Sequence, residues 1–167
     1  MKEYPMEKET HQFEDFLLQV PAQGQDFAAG VHARLTGEGY RCKIENKPSG
    51  FLVSYAHPKT RRVMLNFLTR KKGLFTRIYG DHCGAYAAFL HPLPGDMEKE
   101  IVRASNCKRL LNPADYKSRC PMGYDFMVDE NRYKKCRYSC FQFLVTPESI
   151  PVIEAFIEKE REERQSA

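Results

Sequence analysis

The sequence predicts an α+β fold in which helices cover a four-stranded antiparallel meander, followed by a C-terminal β-hairpin and a closing helix. Between residues 40 and 79, hydrophobic and polar residues alternate with the period of strands, and turn residues divide this stretch into four segments. On either side, hydrophobic residues recur at spacings of three and four, as in amphipathic helices. A sheet with one hydrophobic face needs such a covering layer.

Length and composition favour one domain. The chain has 167 residues, 42% of them hydrophobic, which suits a single core over residues 11–165 after a loose polar arm, residues 1–10. No leader pattern and no apolar run near the ~18 residues of a membrane span is present, so we expect a cytoplasmic protein without a membrane partner. The net charge of +4 favours anionic partners without identifying one.

Two helices are predicted before the sheet. The first has a hydrophobic stripe and ends at Pro21. The stripe consists of Phe13, Phe16, Leu17 and Val20. In the second helix, Phe27, Val31 and Leu35 share a face, and glycines after Thr36 end it.

The meander has a testable register. Its core face is predicted to carry Tyr40, Cys42, Ile44, Phe51, Val53, Tyr55, Val63, Leu65, Phe67, Leu74, Thr76 and Ile78. Pairing Leu65 with Ile78 requires a tight turn at Lys71 and Lys72, and this pairing keeps hydrophobic residues opposite one another on both strands. The agreement supports the four-stranded order.

The opposite face of the sheet is predicted to be basic and aromatic. It carries Arg41, Lys43, Ser54, Arg62, Met64, Asn66, Phe75, Arg77 and Tyr79. Aromatic rings beside cations on a sheet are what single-stranded nucleic acid requires, since bases stack and phosphates pair with the charges. An anionic small molecule or a nucleic-acid strand is therefore the expected ligand. Its expected contacts are Arg62, Asn66, Lys71, Lys72, Phe75, Arg77 and Tyr79. If another element covers this face, these side chains form a second layer of core.

A second candidate site lies at one end of the meander. The loop with His57 and the exit of the fourth strand, with Asp81, His82 and Cys83, share that end. Imidazole, carboxylate and thiol together suit a Cys–His nucleophilic enzyme or a mixed metal site. The alternative is structural: Asp81 caps a helix, His57 lies in a turn and Cys83 packs in the core.

The remaining hydrophobic residues predict further helices and a hairpin. Short helices are expected around Tyr86 and around Met97 and Ile101, and the hairpin pairs Tyr124–Val128 with a strand from Tyr133 to Val145. The expected register places Val128 opposite Tyr133.

Four of the six cysteines lie near this hairpin. On a strand, Cys136 and Cys140 would stand ~13 Å apart, too far for one zinc ion. A zinc site from Cys107, Cys120 and Cys140 is the alternative to buried packed thiols, which we expect, and no cofactor is therefore predicted.

A resemblance enters at these residues. The pattern Cys120-Pro121-Met122-Gly123-Tyr124, then Lys135-Cys136-Arg137-Tyr138, then Phe141-Gln142-Phe143 resembles the tail of an uncharacterised family of hypothetical bacterial proteins. That family implies no function. Its members often carry a further cysteine where this chain has Tyr116, and a metal ligand would then be missing here.

The closing helix is predicted from a buried stripe after Thr146, which caps it. Ile150, Ile153, Phe156 and Ile157 form the stripe. The run from Glu158 to Arg164 alternates in charge and is expected to be solvated.

No phosphate-binding loop, His-Glu-x-x-His motif or nucleophile elbow occurs. We expect a binding domain, with the Cys–His enzyme and an interaction or structural protein as alternatives.

Overall fold

The computed structural model describes residues 12–90, 93–114, 121–128 and 130–166. In chain order these residues form α1 (Phe13–Leu17), α2 (Ala22–Gly37), β1 (Arg41–Lys47), β2 (Gly50–Ala56), β3 (Val63–Arg70), β4 (Gly73–Ile78), a 3₁₀ segment (Cys83–Leu90), α3 (Asp96–Arg103), α4 (Lys108–Leu111), β5 (Tyr124–Val128), β6 (Asn131–Lys135), β7 (Gln142–Leu144) and α5 (Ile150–Ser166). The fold is α+β, as predicted. The arm predicted at residues 1–10 lies outside the described residues.

The main sheet has the strand order β1-β2-β3-β4-β7, and β5 and β6 form a separate hairpin. The predicted meander is therefore confirmed, and β7 extends it at the β4 edge. Leu65 lies opposite Ile78, and Lys71 and Lys72 form the turn between β3 and β4. The alternation of hydrophobic residues and the position of the turn specify the same register, because one face of each strand must be buried.

Three helices cover the predicted core face. Phe67 of β3 stacks on Phe16 of α1 at 5.8 Å between ring centroids and meets Phe27 of α2 edge-on at 5.9 Å. At the other edge of the sheet, Phe143 of β7 packs on Phe156 of α5, with the centroids 6.2 Å apart. These rings join the helices and the sheet into one hydrophobic core.

The turn between β1 and β2 depends on a glycine. Gly50 has a φ of +128°, and a Cβ atom there would lie 2.1 Å from the Thr69 carbonyl oxygen of β3. No other residue type fits a backbone in this conformation at this distance.

A β-bulge in β3 overturns one prediction. The register with β2 shifts after the pair Tyr55 and Leu65, so that Met64 is an extra residue. Met64 is fully buried, and its Sδ accepts a hydrogen bond from the Tyr40 hydroxyl at 3.6 Å. Met64 therefore lies on the core face with Tyr40, and the prediction that it lies on the outer face is wrong.

The predicted strand from Tyr133 to Val145 is two strands. β6 ends at Lys135, the chain turns through residues 136–141, and β7 then pairs with β4. The Cys140 amide donates to the Cys136 carbonyl at 3.0 Å, so the two cysteines stand one turn apart instead of at opposite ends of a strand. The hairpin ends at Lys135, since the next amide, that of Cys136, donates to the Ser105 carbonyl oxygen and not to a residue of β5.

The hairpin register also differs from the expectation. Val128 lies opposite Asn131 instead of Tyr133, and every pair in the hairpin shifts by the same two residues. The turn between β5 and β6 is therefore shorter than predicted.

The closing helix α5 begins at Ile150, after a reciprocal pair of hydrogen bonds. The Ser149 amide donates to the Thr146 hydroxyl at 3.1 Å, and the Thr146 amide donates to the Ser149 hydroxyl at 2.9 Å. Of the predicted stripe, Ile153, Phe156 and Ile157 are buried and Ile150 is half-buried. The predicted solvated run is wrong for Glu160 and Arg164, which are 0% and 7% exposed. Both continue the stripe of the helix, at the spacings of three and four that define its buried face.

Candidate functional site

The outer face of the main sheet carries one polar row that crosses all five strands. The cross-strand register aligns Lys43, Ser54, Asn66, Arg77 and Gln142. We call these five residues the polar row. Because neighbouring strands lie ~4.8 Å apart, the row spans ~19 Å. Of the residues expected on this face, the row contains Lys43, Ser54, Asn66 and Arg77.

Arg77 is held in place by neutral groups. Its Nε and one terminal nitrogen donate to the Gln142 side-chain oxygen at 3.2 and 2.9 Å. Its other terminal nitrogen makes longer contacts of 3.4 Å with Asn66 Oδ1 and the Tyr79 hydroxyl. Within the described ranges, no carboxylate oxygen lies within 4.0 Å of this guanidinium. The half-buried positive charge is therefore oriented but not neutralised.

The acceptors around Arg77 are themselves fixed. The Tyr79 hydroxyl donates to Asn66 Oδ1 at 2.6 Å, and the Asn66 amide nitrogen donates to the Ser54 hydroxyl at 2.8 Å. Asn66 and Tyr79 are 3% and 7% exposed. Asn66 and Tyr79 hold the Arg77 side chain in position, but both are too buried to contact a ligand themselves.

Tyr138 brings an exposed aromatic ring to this face. It is 46% exposed, lies edge-on to Tyr79 at 6.3 Å, and has the Arg77 guanidinium carbon 5.8 Å from its ring centroid. The neighbouring Arg137 stacks on Tyr79 at 4.8 Å. The turn between β6 and β7 thus covers Tyr79 and supplies Tyr138 in its place.

The other predicted ligand contacts are spread out. Lys71 and Lys72 are exposed in the β3–β4 turn, Phe75 is half-buried near the β7 edge, and Arg62 is exposed at the opposite end of the sheet. Five residues along a strand separate Lys72 from Arg77, which is ~17 Å. One small ligand cannot contact all of them.

The end of the meander holds a buried cluster of ions. Asp81 binds Arg137 through both carboxylate oxygens and accepts from Arg164 at 3.2 Å, with Arg62 at 3.9 Å. Arg164 also donates to the Tyr79 carbonyl oxygen at 2.8 Å. Asp81 thus joins the β4 exit to α5 and to the β6–β7 turn.

Glu160 is the centre of the second half of this cluster. Its carboxylate is fully buried and accepts from the His82 amide at 3.0 Å, from Tyr86 at 2.6 Å and from Arg164 Nε at 2.8 Å. His82 Nδ1 lies 2.8 Å from the second carboxylate oxygen. Burial and the Glu160 charge raise the pKa of Tyr86 far above its usual range, so Tyr86 remains a donor.

The topology does bring His57, Asp81, His82 and Cys83 to one end of the sheet, yet their contacts differ from those of a Cys–His site. His57 Nδ1 accepts two amides of its own turn, at 3.2 and 3.3 Å, and its pKa is lowered by burial and by the Arg164 charge. His82 is bound to Glu160. Burial, Glu160 and Asp81 raise the pKa of the Cys83 thiol to about 12, so it lacks the thiolate that a nucleophile needs.

The three cysteines predicted as candidate zinc ligands are not seen to form a metal site within the described residues. Cys107 and Cys140 are buried, and burial raises the pKa of Cys140 well above its usual value. Cys120 lies outside the described residues. Among the residues that the structure describes, no three His, Cys, Asp or Glu side chains are placed to hold a metal ion.

Sequence reasoning missed five residues of these clusters: Arg137, Tyr138, Gln142, Glu160 and Arg164. A signal existed for the last two, because they continue the buried stripe of α5 with opposite charges four residues apart. The other three come from the segment predicted to lie within a hairpin strand.

Comparison with known protein families gave no match, and neither curated proteins nor solved structures gave one. The resemblance of the C-terminal pattern to hypothetical bacterial proteins stays a prediction. None of the described helices combines the length and apolarity that crossing a membrane requires.

Proposed function

We propose that this protein binds a phosphate-bearing ligand on the outer face of its sheet, with Arg77 as the main contact and a single-stranded nucleic acid as the ligand. The observation that carries the proposal is the guanidinium of Arg77, which is oriented by Gln142, Asn66 and Tyr79 but faces no carboxylate among the described residues. A half-buried charge held by neutral groups is ready to pair with an external anion.

The neighbouring arginines provide the contrast. The half-buried Arg137 and the buried Arg164 lie beside Asp81 and Glu160, so two guanidiniums meet two carboxylates. Among the residues that the structure describes, Arg77 has no such carboxylate partner. Its two contacts of 3.4 Å are long, and a phosphate oxygen that displaced them would gain a shorter, charge-assisted bond.

An extended ligand suits this face better than a compact one. The polar row runs ~19 Å across the strands, and at its far end lies the exposed ammonium of Lys43, which is 3.5 Å from a Glu45 carboxylate oxygen. Tyr138 offers a half-exposed ring beside Arg77 on which a base can stack. Two cations spaced along the row, with a ring beside one of them, suit a strand that presents both phosphates and bases.

Fluorescence anisotropy tests the proposal with labelled twelve-nucleotide oligo(U) and oligo(dT). We expect binding that weakens with salt, with a slope in log–log form of about −0.7 per phosphate contact. Arg77→Gln should lower the affinity by about tenfold and reduce the slope by about 0.7, since it removes one contact. Arg103→Gln removes the same charge from an exposed position on α3 and should leave binding unchanged.

Competition identifies the source of the phosphate. Inorganic phosphate or a mononucleotide that displaces the oligonucleotide only at high concentration supports a nucleic-acid ligand. Saturable binding of a mononucleotide without oligonucleotide binding would assign a small anion to Arg77 instead. Absence of any binding at low salt, or equal loss in both variants, would refute the proposal.

A further inference from the structure

A cavity of about 650 Å³ lies beside the edge strand β7, and Arg77 is not among the residues that line it. Phe75 of β4 and its partner Leu144 of β7 lie on the same face of the sheet and line the cavity, together with Phe143 and with Met97 of α3, whose side chains are almost fully buried. The volume is within the range of ~300–1,000 Å³ that small-molecule sites occupy, and such sites have mostly apolar walls with a few polar groups. The cavity has this composition.

The charged side chains at the cavity are mainly acidic. Asp96, Glu100 and Glu148 line it, against one ammonium, that of Lys72. Asp96 has a structural reason to be there, because it lies in the first turn of α3 and pairs with Lys99 at 3.8 Å. The excess negative charge at the mouth stands out in a chain whose net charge is +4.

The carboxylates of Glu100 and Glu148, unlike that of Asp96, are available to pair with a ligand. Glu100 has a 44% exposed side chain and a 3.5 Å contact with Arg103, an exposed pair of the kind that contributes little. Glu148 is exposed and lies within 4.0 Å of no Lys, Arg or His nitrogen in the described ranges. The two carboxylates approach the cavity from different elements, α3 and the turn before α5.

Addition of a peptide strand to β7 is a poor use of this edge. β7 has only three residues, and the Leu144 carbonyl, which points away from β4, already accepts the Ser149 hydroxyl at 2.8 Å. Strand addition needs a run of open backbone groups. A compact occupant fits the cavity better.

We infer that this cavity binds a small organic cation, with an aromatic or aliphatic body against Phe75 and Leu144 and an ammonium or guanidinium group between Glu100 and Glu148. The cavity does not include Arg77, the main contact of the proposed anion site, and its charge is of the opposite sign. One ligand surface therefore selects phosphate, and the other selects an amine.

Titration of ¹⁵N-labelled protein with 2-phenylethylammonium tests the inference, with 3-phenylpropanoate as the probe of similar shape and opposite charge. We expect the ammonium probe to shift the amides of residues 72–75, 95–100 and 143–149 in a saturable manner and the carboxylate probe to shift none of them. Binding should weaken as salt is raised.

The variant Glu100→Gln/Glu148→Gln should weaken binding of the ammonium probe about fivefold, the sum of two exposed ion pairs. Glu130→Gln/Glu162→Gln removes the same charge at exposed positions that do not line the cavity and should bind like the wild type. Equal binding of both probes, unchanged binding in the first variant or equal weakening in both variants would overturn the inference. So would the absence of shifts at the cavity in wild-type protein, a measurement that does not depend on how any variant folds.

Discussion

Replacement of Glu160 by glutamine is the sharpest test of the buried cluster. The substitution keeps the shape of the side chain and the oxygen that accepts from the His82 amide and from Tyr86. It places an amide nitrogen where the second oxygen accepts from Arg164 Nε at 2.8 Å, so that two donors face each other. His82 Nδ1 can change its tautomer and become an acceptor, but Arg164 cannot.

The expected cost follows from the contacts that Arg164 retains. Removing one partner of a buried ion pair costs about 3–5 kcal/mol. Arg164 would keep its bonds to Asp81 at 3.2 Å and to the Tyr79 carbonyl at 2.8 Å, so its charge would not be left alone. We therefore expect the lower end of the range, a loss of about 3 kcal/mol in the free energy of unfolding.

Urea denaturation followed by circular dichroism measures this loss. With an m value of about 2–3 kcal/mol/M, the midpoint should fall by about 1–1.5 M. Glu158→Gln is the matched control, since it lies on the same helix with a 31% exposed side chain and bonds to Arg34 and Arg161. Its cost should be about 1 kcal/mol or less. Equal midpoints for the two variants, or a Glu160→Gln protein as stable as the wild type, would refute the assignment of Glu160 as the centre of the cluster.

Two further predictions concern the core and the sheet. Cys83 should resist iodoacetamide in the native protein at about pH 8, because burial and the nearby carboxylates raise the pKa of its thiol to about 12. The half-buried Cys136 should react before Cys83. Peptide mass spectrometry distinguishes the two cysteines, and equal labelling rates would contradict the prediction. Gly50→Ala should lower the free energy of unfolding by more than about 3 kcal/mol, because the added Cβ atom meets the Thr69 carbonyl oxygen. Gly84→Ala has open space around its Cβ atom and should change the free energy of unfolding by about 0.5 kcal/mol or less. Similar unfolding midpoints for the two variants would contradict this prediction.

The meander could be predicted because several constraints coincide in it. The alternation, the Lys71 and Lys72 turn and the pairing of Leu65 with Ile78 each specify the same register, and a slip of one residue would expose the whole hydrophobic face. The bulge at Met64 could not be foreseen, because Val63, Met64 and Leu65 are all hydrophobic and their sequence does not indicate which of them is the inserted residue.

The candidate site was predictable only in part, for a related reason. Asn66 and Arg77 share a face by strand register alone, so the sequence places them together. Gln142 and Tyr138 reach that face because β7 joins the sheet far along the chain, and Gln142 follows Arg77 by 65 positions. Glu160 was assigned to solvent because charged residues are rarely fully buried, and its partners lie on distant elements.

The position of β7 at the end of the sheet has a consequence for synthesis of the chain. As the polypeptide emerges from the ribosome, strands β1 to β4 are complete long before Gln142–Leu144, and the edge of β4 has no neighbour during that interval. An open edge beside an uncovered hydrophobic face is a template for pairing with other chains. Growth of the chain through α5 ends this exposure, because β7 covers the edge and Phe156 covers the adjoining face. The nascent chain therefore depends on its last elements, or on a chaperone, to avoid aggregation.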